Sequence, residues 1–141
     1  MTDMIKCISP VDGSVYASRP VASPEAIAAT FTAAHAAQDT WKRVPLTERA
    51  ALCSAAVDAM LAVKDEIVPE LAWQMGRPVR YGAGELRGFE ERARYMIGIA
   101  EQALAPVTPA PRDGFLRYIK REPLGVVFTI APWNYPYLTA V

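Results

Sequence analysis

The sequence has 141 residues, an apolar fraction of 52%, and fifteen basic residues that balance fifteen acidic ones. This length suits a domain of ordinary size, and the balanced charge without a basic patch excludes nucleic acid as an expected partner. No stretch approaches the roughly 18 consecutive apolar residues of a membrane helix, so we expect no membrane partner either.

Cysteine and histidine are scarce. Cys7 and Cys53 are too few for a disulfide framework, and with His35 as the single histidine we expect no metal site. Cys53 lies in an Ala- and Leu-rich helical pattern, which predicts a small buried hydrophobic residue. The first residues lack the basic-then-apolar pattern of a signal peptide, so we expect a cytoplasmic protein.

The chain begins with the pattern of a β-hairpin. Two short apolar stretches, 5–8 and 15–17, flank Pro-Val-Asp-Gly, in which Gly13 can supply a positive φ. The first helix then begins with Ser23 as cap and Pro24 at the first helical position. Its predicted apolar stripe comprises Ile27, Phe31, Ala34 and Trp41.

Two further helices follow. The second begins at Pro45 or Thr47, and the sequence does not decide between them. Its predicted apolar face comprises Leu52, Ala56, Ala59, Met60 and Val63. The third covers about 65–75, where Pro69 is tolerated only if it lies in the first turn. Gly76, followed by Arg77 and Pro78, predicts the end of this helix.

The fourth helix has the clearest pattern. Its predicted apolar face comprises Leu86, Phe89, Ala93, Met96, Ile97, Ala100 and Leu104. We interpret Glu70 and the acidic residues of the fourth helix, among them Glu85, Glu90 and Glu91, as solvated surface. Glycine lowers helix stability by up to about 1 kcal/mol against alanine, so Gly84, Gly88 and Gly98 predict close approach by neighbouring backbone.

Extended structure follows the helices. Prolines at 106, 109 and 111 predict an arm, Asp113-Gly114 a turn, and 115–122 a half-exposed strand. The apolar run 126–131 predicts a strand buried on both faces, as in a parallel sheet. Asn134 comes just beyond it, where open α/β sheets bind ligands.

The 121–136 stretch resembles a known family. Arg-Glu-Pro-Leu-Gly-Val-Val followed by Ile-Ala-Pro-Trp-Asn-Tyr-Pro is similar to the strand and turn that open the cofactor domain of the aldehyde dehydrogenase superfamily. The order of the upstream elements is similar as well, over essentially all 141 residues. The resemblance implies an α/β fold: hairpin and helices in 1–104, an arm and strand that join subunits in 105–122, and the first strand of a Rossmann-like sheet in 123–141.

The resemblance also implies a chemistry. Members oxidise aldehydes by thiolate attack, hydride transfer to NAD or NADP, and hydrolysis of the thioester, usually as homo-dimers or homo-tetramers. Carried over, Asn134 donates to the oxyanion, Tyr135 lines the aldehyde tunnel, and the nicotinamide side of the cofactor meets Ile130, Ala131, Pro132 and Trp133. From the residues alone, Asn134 can equally bond its own backbone in a turn, and Tyr135 can be packing.

The nucleophilic Cys and the general-base Glu of the family are absent from this chain. We therefore expect an N-terminal fragment, inactive by itself. Two alternatives remain open: a non-catalytic interaction or oligomerisation module, and an unstable truncated product whose exposed strand edge favours aggregation.

Overall fold

The computed structural model describes residues 3–141. The predicted hairpin is confirmed: β1 (Met4–Ile8) pairs antiparallel with β2 (Val15–Pro20), and the register shifts between Cys7 and Ile8. Gly13 adopts a φ of 76° in the connecting turn. The Tyr16 ring stacks on Trp73 with centroids 6.2 Å apart, which places the hairpin against the third helix.

Four helices follow, as predicted: α1 (Pro24–Trp41), α2 (Leu46–Ala62), α3 (Lys64–Met75) and α4 (Val79–Leu104). The Ser23 hydroxyl accepts from the amide of Ala26 at 3.2 Å and caps α1. Gly76 ends α3 in the left-handed conformation, with a φ of 77°. No helix within residues 3–141 has the length and apolar character needed to cross a membrane.

The core lies between α2, α3 and α4. One buried cluster comprises Val57, Phe89 and Ala93, and the other comprises Ile67, Leu71 and Leu86. Met60, Leu61 and Tyr137 pack against both clusters. Helix α1 contributes no buried residue to this core, so its predicted apolar stripe faces solvent in this chain.

The predicted face of α2 is wrong in most of its members. Val57 is the buried residue of this helix, whereas Leu52, Ala56 and Ala59 are exposed. Because alanines lie on every side of this helix, several of its faces have similar apolar character, and the pattern alone does not decide which one is buried. Cys53 is also exposed, contrary to prediction, and belongs to neither buried cluster.

Proline and glycine positions correct two further expectations. Pro69 lies inside α3, beyond the first turn, because that helix begins at Lys64 directly after the break at Val63. In α4, the predicted approach of neighbouring backbone is wrong: a Cβ on Gly88 would lie 3.1 Å from the side chain of Leu138, and one on Gly98 would meet nothing within 4 Å. The tightest position is Gly82, which the sequence did not single out: a Cβ there would lie 2.7 Å from Val68.

The two predicted strands after α4 are not formed as strands in this chain. In the arm, Val107 and Ile119 exchange two main-chain hydrogen bonds, of 3.0 and 2.8 Å, as an isolated pair. Residues 121–132 form neither helix nor strand, and Leu124 is 96% exposed. A parallel strand takes its hydrogen bonds from neighbouring strands, and residues 3–141 offer none beside this segment.

Candidate functional site

A short turn, residues 133–140, follows the extended segment and packs against α3 and α4. Thr139 closes it: its amide and its hydroxyl both approach the carbonyl oxygen of Tyr135, at 3.4 and 2.5 Å. Because Pro136 has no N–H, the first main-chain donors within the turn after Tyr135 belong to Tyr137 and Leu138. Neither amide has a carbonyl partner inside the turn, so both need an acceptor from elsewhere.

Glu85 of α4 supplies that acceptor. Its Oε1 accepts from the amides of Tyr137 and Leu138, each at 3.0 Å, and its Oε2 accepts from Arg77 at 2.8 Å. The residue is 1% exposed. A buried carboxylate is stable only when its oxygens are paired and hydrogen-bonded, and here both oxygens are used.

The prediction that Glu85 is solvated surface is therefore wrong. The sequence contained a signal for its burial, because Glu85 lies at helical spacing with Gly82 and Phe89, both of which are buried. An acidic residue inside an apolar stripe indicates a partnered, buried carboxylate. Glu90, by contrast, is half-buried in an ion pair with Arg94, and Glu91 and Glu70 are exposed as predicted.

Arg77 is the second residue that the sequence reasoning missed, since it was treated only as part of a helix end. Its Nη1 bonds Glu85, and its Nη2 donates to the main-chain oxygen of Asn134 at 2.5 Å. The same guanidinium lies 4.5 Å from the centre of the Tyr135 ring. Arg77 therefore joins α4 to both residues that the sequence predicts at the reaction centre.

A cavity of about 550 Å³ opens beside this network. Trp133, Asn134 and Tyr135 form one wall, and the end of α3 and the first turns of α4 form the other, with Met75, Gly76, Arg77, Pro78, Tyr81, Gly84 and Glu85. The Arg77 guanidinium donates to the main-chain oxygen of Asn134 and not to its side chain. Asn134 is an exposed residue and lines a space large enough for a small molecule.

The predicted cofactor residues lie on the other side of Trp133. Ala131, Pro132 and Trp133 line a second cavity of about 310 Å³, together with residues of the hairpin and α3. Trp133 borders both cavities and is 76% exposed. Ile130 is 79% exposed and is not among the lining residues of either cavity. The structure thus brings 133–135 together at one cavity, places 131–133 at its neighbour, and leaves Ile130 apart.

Tyr137 lines the smaller cavity and packs against both core clusters. Burial raises the pKa of its phenol, and the carboxylates of Glu70 and Glu85 raise it further because they repel a phenolate. The ring is therefore neutral and serves as packing between α3, α4 and the turn. Within residues 3–141, no three His, Cys, Asp or Glu side chains come together as metal ligands.

Comparison with known proteins decides the family. The sequence profile of the aldehyde dehydrogenase family matches residues 1–141. This chain belongs to the aldehyde dehydrogenase family. As a member, it is 34% identical over 134 residues to a long-chain-aldehyde dehydrogenase of Acinetobacter sp., a match that covers 94% of this chain and 26% of the relative.

Solved structures of family members have the same fold. PnpE in complex with nicotinamide adenine dinucleotide is 28% identical, with a TM-score of 0.87 over 96% of this chain and 28% of that one. The NADP-dependent glyceraldehyde-3-phosphate dehydrogenase of Bacillus halodurans, complexed with NADP, is also 28% identical, with a TM-score of 0.86 over 98% and 30%. This chain therefore spans little more than a quarter of the length of its relatives, and it matches their N-terminal part.

Proposed function

We propose that these 141 residues are the N-terminal part of an enzyme that oxidises an aldehyde to a carboxylic acid with NAD or NADP, through a cysteine thiohemiacetal. The observation that carries this proposal is the position of Asn134, an exposed residue that lines the larger cavity between Trp133 and Tyr135. The overall reaction consumes the aldehyde, NAD(P)⁺ and water, and it yields the acid, NAD(P)H and a proton.

Asn134 has the chemistry of an oxyanion donor. Attack of a thiolate on the aldehyde carbon places negative charge on the carbonyl oxygen, and an amide side chain offers two N–H donors without a competing charge. A fixed donor of this kind typically accelerates the reaction by about 10²–10³. When hydride leaves the same carbon, the oxygen returns to a carbonyl and the hydrogen bond weakens.

The proposal for cofactor binding concerns only the nicotinamide end of NAD or NADP. When bound, NAD(P)⁺ accepts the hydride from the substrate carbon. The exposed apolar surface and main-chain groups of Ala131, Pro132 and Trp133 fit the nicotinamide-ribose side, and we propose Ile130 as the outer edge of that wall. These residues carry no cation for the pyrophosphate and no group that selects NAD over NADP.

Tyr135 is proposed to line the aldehyde tunnel. Its ring lies under the guanidinium of Arg77 and borders the larger cavity. An aromatic ring held in this way offers an aliphatic or aromatic aldehyde a rigid apolar face.

The arm is proposed to join subunits of a homo-oligomer. Residues 105–122 are exposed throughout, with Leu116 91% exposed, and the paired residues Val107 and Ile119 are both exposed as well. The same exposure favours the alternative of a non-catalytic oligomerisation module. This alternative predicts a folded oligomer without turnover, whereas the proposed enzyme turns over aldehyde as the full-length gene product.

The test is turnover by the full-length gene product that contains these residues. We expect aldehyde-dependent formation of NAD(P)H, a loss of about 10²–10³ in kcat for Asn134→Ala, and wild-type kcat for Gln102→Ala, an exposed amide at the end of α4. We expect no turnover by residues 1–141 alone. A folded Asn134→Ala variant with wild-type kcat would contradict the role of Asn134, and turnover by residues 1–141 would contradict their dependence on other parts of the enzyme.

A further inference from the structure

We propose that Arg77 and Glu85 are positioning residues for Asn134: together they fix the main chain that carries the oxyanion donor onto α4. The inference rests on the proposed role of Asn134. It concerns residues that take no part in the chemistry themselves, and it explains why a charged pair is buried at the base of the 133–140 turn.

The guanidinium of Arg77 bridges two acceptors. One guanidinium donates to Glu85 Oε2 at 2.8 Å and to the Asn134 main-chain oxygen at 2.5 Å, through two different nitrogens. The planar fork of arginine presents these donors in a fixed relative geometry. A lysine ammonium is a single nitrogen and does not reproduce this bridge.

The main chain that follows Asn134 is held by Glu85. Glu85 Oε1 takes the amides of Tyr137 and Leu138, and Pro136 between them and Asn134 restricts the backbone by its ring. The peptide plane after Asn134 is therefore bonded to Arg77, while the chain three and four residues later is bonded to Glu85. The direction in which the Asn134 side chain leaves the main chain is fixed between these two anchors.

The Glu85 anchor is itself rigid. Glu85 lies in the buried stripe of α4 beside Leu86 and Phe89, and its side chain is fully buried. Donors that are fixed before the reaction stabilise a developing charge most effectively, because no reorganisation is needed at the moment of attack. A buried carboxylate on a helix, paired with Arg77 in the link before that helix, provides such a frame for a residue that itself lies on a turn.

A spectroscopic test exploits the fact that Asn134 is the single asparagine of the chain. Selective ¹⁵N-asparagine labelling of residues 1–141 gives one main-chain amide signal and one side-chain NH₂ pair. We expect Arg77→Lys to shift or broaden both. Arg80→Lys is the matched control, because Arg80 is exposed and its guanidinium contacts the ring of Tyr81, and it leaves both signals in place.

A kinetic test separates positioning from general stability. In the full-length gene product, Arg77→Lys is expected to lower the single-turnover rate of NAD(P)H formation by roughly ten- to a hundredfold, with unchanged affinity for the cofactor. In an Asn134→Ala background the same substitution is expected to have no further effect, because there is no donor left to position. A merely structural role would lower the rate equally in both backgrounds.

The outcomes are distinct. Wild-type rates for Arg77→Lys, or an equal loss in both backgrounds, would overturn the positioning role. If Asn134→Ala retains the wild-type rate, the proposed function of Asn134 fails, and the NMR signals then decide the positioning role: unchanged asparagine signals in Arg77→Lys overturn it, and shifted signals with an intact Arg80→Lys spectrum support it.

Discussion

The guanidinium of Arg77 and the carboxylate of Glu85 lie 2.8 Å apart at the junction of α4 with the 133–140 turn, and the Glu85 side chain is fully buried. Each of the two carboxylate oxygens is used, one by Arg77 and the other by two main-chain amides. Removing one partner of a buried pair leaves an uncompensated charge or donor, which is the main energetic consequence of such an arrangement.

The first prediction concerns the stability of this pair. Glu85→Gln retains one oxygen for the amides of Tyr137 and Leu138, but it places an NH₂ group against the donor of Arg77. We expect the free energy of unfolding to fall by about 3 kcal/mol. Urea unfolding of residues 1–141 measures this. Glu91→Gln, at an exposed position of the same helix, should change it by less than about 0.5 kcal/mol, and an equal effect of both substitutions would contradict the prediction.

The second prediction compares two glycines of α4. A Cβ on Gly82 would lie 2.7 Å from Val68 Cγ1, and the branched valine side chain has little freedom to move. Overpacking costs about 1–3 kcal/mol, which exceeds the gain in helix propensity, so Gly82→Ala should lower the thermal midpoint. Gly98→Ala meets nothing within 4 Å and should raise stability by up to about 1 kcal/mol. Shifts of the same sign for both variants would be the contrary result.

The third prediction concerns pH. Burial and two carboxylates raise the pKa of Tyr137 above its usual value. The folded state holds the phenolic proton of Tyr137 more tightly than the unfolded state does. The contribution of Tyr137 to the free energy of unfolding is therefore complete below about pH 10, and it is lost as the pH rises through the raised pKa.

Tyr137→Phe should remove this alkaline loss. Between pH 9 and 11, the thermal midpoint of the wild type is expected to fall more steeply than that of Tyr137→Phe. Tyr95→Phe, an exposed tyrosine of α4, serves as control and should follow the wild type. Parallel curves for all three proteins would show that Tyr137 does not contribute.

The fourth prediction concerns α1. This helix contributes no buried residue, and its apolar side chains at Ile27 and Phe31 are exposed. Segments with few buried contacts open at low free energy. Hydrogen exchange of residues 1–141 should therefore show α1 exchanging faster than the part of α4 around Leu86 and Phe89. Equal protection of the two helices would contradict this.

Local signals in the sequence were sufficient for most of the fold. The Ser23 cap, the Gly13 turn and the Gly76 helix end each depend on one residue and its immediate neighbours, and all three predictions are confirmed. Choices that depend on what packs against an element were less successful. The face of α2 and the burial of Cys53 were wrong because an Ala-rich helix offers several similar stripes.

In the candidate site, too, residues identified by a local motif were predicted and residues that depend on distant partners were not. The motif that contains Asn134 was identified because its residues are contiguous, and the structure places 133–135 at one cavity. The role of Glu85 was missed because the two main-chain amides that it accepts from lie 52 and 53 residues away along the chain. The 126–131 segment was predicted as a buried strand from its composition, but strand formation depends on neighbours that residues 3–141 do not supply.

The most direct measurement of the central relationship is amide hydrogen exchange at Tyr137 and Leu138 in residues 1–141. If Glu85 anchors the 133–140 turn to α4, both amides exchange far more slowly than in an unstructured peptide, and Glu85→Ala returns them to the unprotected rate while α4 remains protected around Phe89. Exchange of these two amides at the unprotected rate in the wild-type protein would show that the turn is not held by Glu85.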